Sequence, residues 1–397
     1  MKIAVVLEFK LKVGGGFQQE LSTACLLNRY QDDDRQFIFY TTEKENVEIL
    51  KKLGVRSKYL NVRSINDKIY YHFLKYVKIG HLFRTAVAAE APFEKVFIQD
   101  NIDLIYFLAP SSLALAVTKT NYMITVWDLC HRDHPEFPEV NFNGQFESRE
   151  NLFNNVLPKA VAVLTDSEYG KANILSRYAC DSERVYTVKF LPSEGIKTGS
   201  STDIRKKYSL KNKYIFYPAQ FWAHKNHVYI VDGLKILRDK FGLEIDAVFS
   251  GSDEGNAKFV IGYAKKSGLE GNVHHVGFIP NEEMASFYKQ AVALVMPTYF
   301  GPTNIPPLEA FTLGCPVCYP DLPGLRDQVQ DAAFLMDLNE PESMARHIAT
   351  ILSDREAVMA KVTRGKQLLS EWTEDDHWKV LNQIFDKYAR KMRCWKI

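Results

Sequence analysis

The sequence predicts an α/β protein built from two doubly wound domains that face each other across a cleft. Three observations carry that expectation. The chain has 397 residues, more than one ordinary core organises, which suggests two domains of about 200 residues each. Short apolar runs alternate with amphipathic helical stretches along its whole length, the pattern of parallel sheets made from βαβ units. One stretch near the middle, Leu191–Thr202, is rich in Gly, Ser and Thr and reads as a linker. The expected divisions are 1–195, 203–375 and a C-terminal helix over 376–397.

Composition narrows the function classes. Hydrophobic residues at 46% and charged residues at 25% fit a globular protein rather than a disordered one. A net charge of +2 makes no case for nucleic acid, and no nucleic-acid motif is present. The N-terminal apolar run turns charged at Glu8, too early for a signal peptide, and no run is long enough for a transmembrane helix. Six scattered cysteines make no disulfide framework, so a reducing compartment is expected, by default the cytoplasm.

In chain order, Ile3–Leu7 reads as a strand buried on both faces. It leads into Gly14-Gly15-Gly16-Phe17 and a helical pattern from about Gln18 to Tyr30. The glycines permit close backbone approach to a ligand, although their spacing is not the dinucleotide fingerprint. Asp32-Asp33-Asp34 is an exposed turn. Further strands are expected at Gln36–Tyr40, Asp103–Leu108, Tyr122–Val126, Val161–Thr165 and Val185–Val188, with a helix over Ser167–Arg177. The second domain repeats the alternation. Its strands are Tyr214–Tyr217, Ile245–Phe249, Val273–Val276, Ala293–Met296, Val317–Tyr319 and Ala333–Met336. Its helices include His227–Lys240, Ala257–Lys266 and Asn281–Lys289. A last helix from about Asp375 to Arg393 carries the stripe Trp378, Leu381, Ile384, Phe385 and Tyr388. From Lys387 to Ile397, Lys387, Arg390, Lys391, Arg393 and Lys396 stand with no acid, beside Trp395. A solvated helix end accounts for them, and peripheral contact with an anionic membrane is the alternative.

Three segments carry candidate chemistry. Phe300-Gly301-Pro302-Thr303-Asn304 joins a strand to the helix Pro306–Leu313, with Gly314 after it. A loop feeding a helix N-terminus offers amide donors to an anion, and Glu309 is expected in the first turn. Alone, Glu309 reads as a complement to the helix dipole. Tyr217–His227 follows the first strand of the second domain and sets Lys225 where it neutralises a diphosphate. His224 and His227 flank it but lack the further ligands a zinc site needs. Thr125–Phe137 packs Asp128, His131, Arg132, Asp133 and His134 into a loop at a strand's carboxyl end, a polar density that points to function. Cys315-Pro316-Val317-Cys318 matches C-x-x-C but lies in a buried strand, so two packed thiols are expected rather than a redox or zinc site.

Together, Tyr217–His227, Val273–Pro280 and Tyr299–Val317, with the Gly14–Gly16 loop and Asp128-Leu129…His131…Pro135-Glu136, resemble the signatures of family-four retaining glycosyltransferases, the glycosyl transferases group 1. The resemblance spans nearly the whole chain and is stronger in the second domain. It implies the GT-B fold, two Rossmann-like domains with the C-terminal helix crossing back to the first. It implies transfer of a sugar from a GDP-, UDP- or dTDP-linked donor to a saccharide or lipid-linked saccharide acceptor, without metal or cofactor, in cell-surface polysaccharide synthesis. By that resemblance Glu309 holds the ribose hydroxyls and Lys225 the diphosphate. Amides of Thr303, Asn304 and Ile305 contact the transferred sugar and phosphate, and His275–Phe278 edges the base. Gly15, Gly16, Gln220, Ser252 and Phe278 complete the implied donor site. Asp128 and His131 position the sugar or acceptor, with His134 and Phe17 on the acceptor side. Two positions depart from the family pattern. Gly301 stands where the first Glu of E-x7-E is usual, and Gln220 where the Arg of R-x4-K is usual. Those departures motivate a rival reading, a catalytically silent nucleotide- or glycan-binding subunit. A sugar-nucleotide epimerase is the other rival.

Overall fold

The computed structural model describes residues 1–11, 15–62, 91–196, 202–301 and 303–395; Gly14, Lys197–Ser201 of the linker, Pro302 and Lys396 lie outside these. Two all-parallel sheets form two α/β layers. The first contains β1 (Lys2–Leu7), β2 (Gln36–Thr41), β3 (Ser57–Tyr59), β4 (Leu104–Phe107), β5 (Asn121–Val126), β6 (Ala162–Thr165) and β7 (Val185–Thr187), in the order β3-β2-β1-β4-β5-β6-β7. The second contains β8 (Tyr214–Pro218), β9 (Asp246–Ser250), β10 (Val273–His275), β11 (Leu294–Val295), β12 (Val317–Pro320) and β13 (Phe334–Met336), in the order β10-β9-β8-β11-β12-β13.

Sequence dictates the central strands. Ile3, Ala4, Val5, Val6 and Leu7 are all fully buried, because β1 pairs with β2 and β4 and is covered on both faces. β8 repeats this between β9 and β11, with Tyr214, Phe216 and Tyr217 at 0% exposure. Each strand expected from the sequence is present. The exception runs the other way: β3 was not foreseen, since Ser57-Lys58-Tyr59 is a half-exposed edge strand with no apolar run to betray it.

Both sheets reverse strand order at the centre, so the loops after β1, β5, β8 and β11 leave neighbouring carboxyl ends, where open α/β sheets bind ligands. The C-terminal helix (Glu374–Met392) opens on a capping box between Thr373 and Asp376. It packs against the first domain. Leu381, Ile384, Phe385 and Tyr388 join the core cluster of Ile3, Val5 and Phe37. Arg35 donates to Asn382 and Asp386, and Tyr388 donates to the Asp103 carbonyl at 2.7 Å. Lys391 and Trp395 beyond this face are exposed. Among the described residues no helix is long and apolar enough to cross a membrane. Cys315 and Cys318 are packed free thiols.

Phe385 is fully buried between helix and sheet. Phe385→Ala is expected to cost about 3–5 kcal/mol, read as an earlier urea midpoint for the first domain.

Candidate active site

Between the domains lies a cavity of about 630 Å³, within the range of small-ligand sites. Its second-domain wall starts where β8 ends. Trp222 leads into a tight turn, Ala223–Lys225, closed by Asn226 at φ 54°, and the Tyr217 hydroxyl donates to the Lys225 carbonyl at 3.0 Å. This pins the backbone while the ammonium group stays nearly free. Lys225 Nζ reaches Asn304 Oδ1 only at 3.5 Å. Burial pushes its pKa down to about 8, against the pull of Asp128, Cys130 and Glu139 opposite.

The loop before the helix Ile305–Leu313 is held by side-chain amides. Gly301 has φ 102°, a conformation that favours glycine, and a Cβ there would lie 3.0 Å from Asn304 Oδ1. Asn304 Nδ2 donates to the Gly301 carbonyl at 2.8 Å and to the Tyr319 hydroxyl at 2.6 Å. The Asn304 N–H donates to Gln328 Oε1 at 2.9 Å, so this amide is committed within the protein. Pro306 and Pro307 have no N–H to offer. The helix end therefore presents fewer donors than its sequence position suggests. Thr303, Asn304 and Ile305 nonetheless all line the cavity.

Glu309 lines it too, from the fifth position of the helix rather than the first turn. It is 7% exposed, accepts from the Ser193 hydroxyl of the linker, and accepts from the Tyr288 hydroxyl at 2.6 Å. Burial raises its pKa and those two donors oppose the rise. A helix-dipole role does not explain it; its partners do. Gln220 donates to Ser252 Oγ at 2.8 Å and Glu254 Oε1 at 2.9 Å, and Phe278 stands 60% exposed at the rim.

The first-domain wall carries Phe17, Gln18 and Gln19 from the opening of the helix Gly15–Arg29, which begins at Gly15-Gly16 themselves. Trp127, Asp128 and Cys130 follow β5. Asp128 Oδ1 accepts from Arg149 Nη1 at 2.9 Å and from the Cys130 N–H at 3.0 Å. Burial alone would raise the Asp128 pKa, but the Arg149 charge and these donors bring it below the ordinary value. Gln18 Oε1, Gln19 Oε1 and Trp127 Nε1 are buried with no hydrogen-bond partner among the described residues, polar atoms kept at a wall that has none for them.

Two expected residues are placed elsewhere. His131 is fully buried away from the cavity. The helical turn Cys130–Asp133 points its ring inward, onto Glu150 Oε1 at 2.8 Å and the Tyr178 hydroxyl at 3.2 Å. His134 stacks on Phe300 at 5.9 Å, in a seam between the domains rather than in the cavity lining. In that seam Phe137 packs on Tyr299 at 5.3 Å, and His224 stacks on Phe300 at 3.7 Å. Glu139 Oε1 accepts from both the His224 N–H, at 2.9 Å, and its Nδ1, at 2.5 Å. His227 stacks on Phe221 at 4.3 Å. Among the described residues no group of three or more His, Cys, Asp or Glu side chains is placed to hold a metal ion. Sequence reasoning missed Glu139, Gln145 and Arg149. No patterning singled out Arg149, which lies three residues after Phe146 and four before Phe153, on the same side of its helix.

Comparison with known proteins bears on this cleft. Residues 200–367 match the family model described as glycosyl transferases group 1. The match falls on the second domain. Over 265 residues the chain is 24% identical to O-antigen chain mannosyltransferase B of Escherichia coli, covering 65% of this chain and 67% of that protein. Sucrose-phosphate synthase of Thermosynechococcus elongatus superposes with a TM-score of 0.73 at 16% identity, over 98% of this chain and 99% of that one. Anabaena HepE in complex with UDP-glucose gives 0.71 at 16% identity, over 98% and 100%. The architecture that these neighbours share with this chain is the GT-B fold.

The Gly301 backbone fixes the loop that carries Asn304. Gly301→Ala is expected to cost about 1–2 kcal/mol in thermal unfolding of the second domain, because φ is disallowed and the Asn304 amide must move.

Proposed function

We propose that the chain transfers a hexose, with mannose the leading candidate, from a GDP-, UDP- or dTDP-linked donor to a saccharide or lipid-linked saccharide acceptor of cell-surface polysaccharide synthesis, retaining the anomeric configuration. The observation that carries the reading is that Lys225 and Glu309, 84 residues apart in sequence, line one cavity between the domains together with Phe278 and Asp128. The mannosyltransferase relative supports the sugar and the pathway class.

In this reading the diphosphate lies against Lys225 and the Thr303–Ile305 loop, the ribose at Glu309 and the base beside Phe278. The Glu309 carboxylate would exchange the Ser193 hydroxyl for a ribose hydroxyl, which couples donor entry to the linker between the domains. The bond from the anomeric carbon to the phosphate oxygen breaks, and its electron pair stays on that oxygen. The acceptor hydroxyl bonds to the same face of the carbon and passes its proton to the departing phosphate. A fixed ammonium group stabilises the charge as it develops, in place of a divalent ion. Asp128, with Oδ1 already satisfied, offers Oδ2 to a sugar hydroxyl. His131 acts from behind by bracing the loop.

Lys225→Ala is expected to lower donor turnover by about 10²–10³-fold while leaving the melting temperature unchanged. Near wild-type transfer by that variant would refute the assignment, and nucleoside diphosphate binding without sugar release by the wild type would favour a silent binding subunit. Because Lys225 is charged only below its pKa of about 8, kcat/KM for donor is expected to fall as pH rises through that value. A rate flat from pH 7 to 9 would show that this ammonium group is not needed.

A further inference from the structure

We propose that Arg149 is the second cation that grips the donor's diphosphate, reaching it from the first-domain wall opposite Lys225. The inference rests on the donor site proposed above and adds a residue to it.

Among the described residues lining the cavity, Lys225 and Arg149 are the two lysine or arginine side chains, and they come from opposite domains. Two polar side chains of the second-domain wall are already occupied. Gln220 is spent on Ser252 and Glu254, and Asn304 on Gly301 and Tyr319. Arg149 is aimed but not consumed. Its Nη1 is fixed by Asp128 Oδ1 at 2.9 Å and Cys130 Sγ at 3.3 Å, whereas Nε and Nη2 make no hydrogen bond among the described residues. The side chain keeps 32% of its surface exposed. A guanidinium held on one edge and open on another presents a planar pair of donors, the arrangement that suits phosphate oxygens.

Charge balance favours the same conclusion. A sugar nucleotide brings two phosphoryl charges into the cleft, and cleavage adds about one more on the terminal phosphate until the acceptor's proton reaches it. Lys225 alone, facing Asp128 and Glu139, does not offset that. Arg149 neutralises Asp128 in the free protein and faces the diphosphate once it enters. Asp128 then has two duties, orienting Arg149 through Oδ1 and leaving Oδ2 to the sugar.

The test is calorimetric titration of the full chain with GDP and UDP, set against guanosine and uridine, in the wild type, Arg149→Gln, Arg149→Lys and the double variant Arg149→Gln/Gln220→Arg. Arg149→Gln is expected to weaken diphosphate binding about tenfold or more and leave nucleoside binding within about twofold, a split that general damage to the fold would not give. Arg149→Lys is expected to recover most of the loss. Gln220→Arg, placing a cation on the other wall beside Lys225, is expected to restore part of it. Diphosphate binding by Arg149→Gln at wild-type strength would overturn the inference, as would equal weakening of diphosphate and nucleoside. Failure of the wild type to bind either diphosphate, or dTDP titrated in the same way, would overturn the donor reading itself, and this inference with it.

Discussion

One carboxylate joins the two halves of this molecule. Glu139, on a short helical turn of the first domain, accepts from the backbone and the ring of His224 in the second. Both side chains are nearly buried, at 8% and 9% exposed. An unpaired carboxylate so placed would be expensive, so the contact specifies how the domains meet. Burial pushes the His224 pKa down to about 4, which leaves the ring neutral near pH 7 with its proton on Nδ1, where the carboxylate takes it. His134 and Phe137 add ring contacts with Tyr299 and Phe300 around it. Lys225 is the next residue after His224, so the depth at which the ammonium group sits follows from this seam.

The seam also explains the electrostatics of the cleft. Asp128, Cys130 and Glu139, all from the first domain, are the groups that pull the Lys225 pKa up while burial pulls it down. Were the domains to part, Lys225 would regain solvent and lose those neighbours together. The closed cavity thus holds a cation under stress, which an entering anion relieves. Glu309 presents the converse case. Each oxygen of its carboxyl already accepts one hydrogen bond, from Ser193 of the linker and from Tyr288, so in the proposed reading a ligand hydroxyl joins or replaces one of these donors.

The apolar runs made the fold legible. Twelve strands were placed to within a residue or two because buried parallel strands are apolar on both faces, and β3 escaped because Ser57-Lys58-Tyr59 is not. Much of the cavity lining was legible as well, since strand-to-loop junctions carry it. What each side chain does there was not. His131 stands in the most polar loop of the chain, but a single helical turn points it at Glu150, and no spacing rule reveals that direction. Glu309 has donors 116 and 21 residues away, contacts that only the folded chain creates. The Asn304 amide, read as available, is taken by Gln328 from 24 residues on. Arg149 lies on an ordinary polar helix, and only the tertiary fold brings it against Asp128.

The two departures from the family pattern are not simple deletions. At Gly301 the missing carboxylate is accompanied by a positive φ and by an Asn304 carboxamide that holds the loop through the Gly301 carbonyl. At Gln220 the missing guanidinium is replaced by an amide knitted into Ser252 and Glu254. On this wall, then, side-chain amides are committed to hydrogen bonds within the protein and neither position presents a cation to a ligand. A less charged wall binds an anion less well unaided and leaves more of the task to whatever the facing domain brings. In the proposed reading donor binding depends on closure, because Lys225 and Arg149 stand on facing walls that the Glu139–His224 seam helps to align.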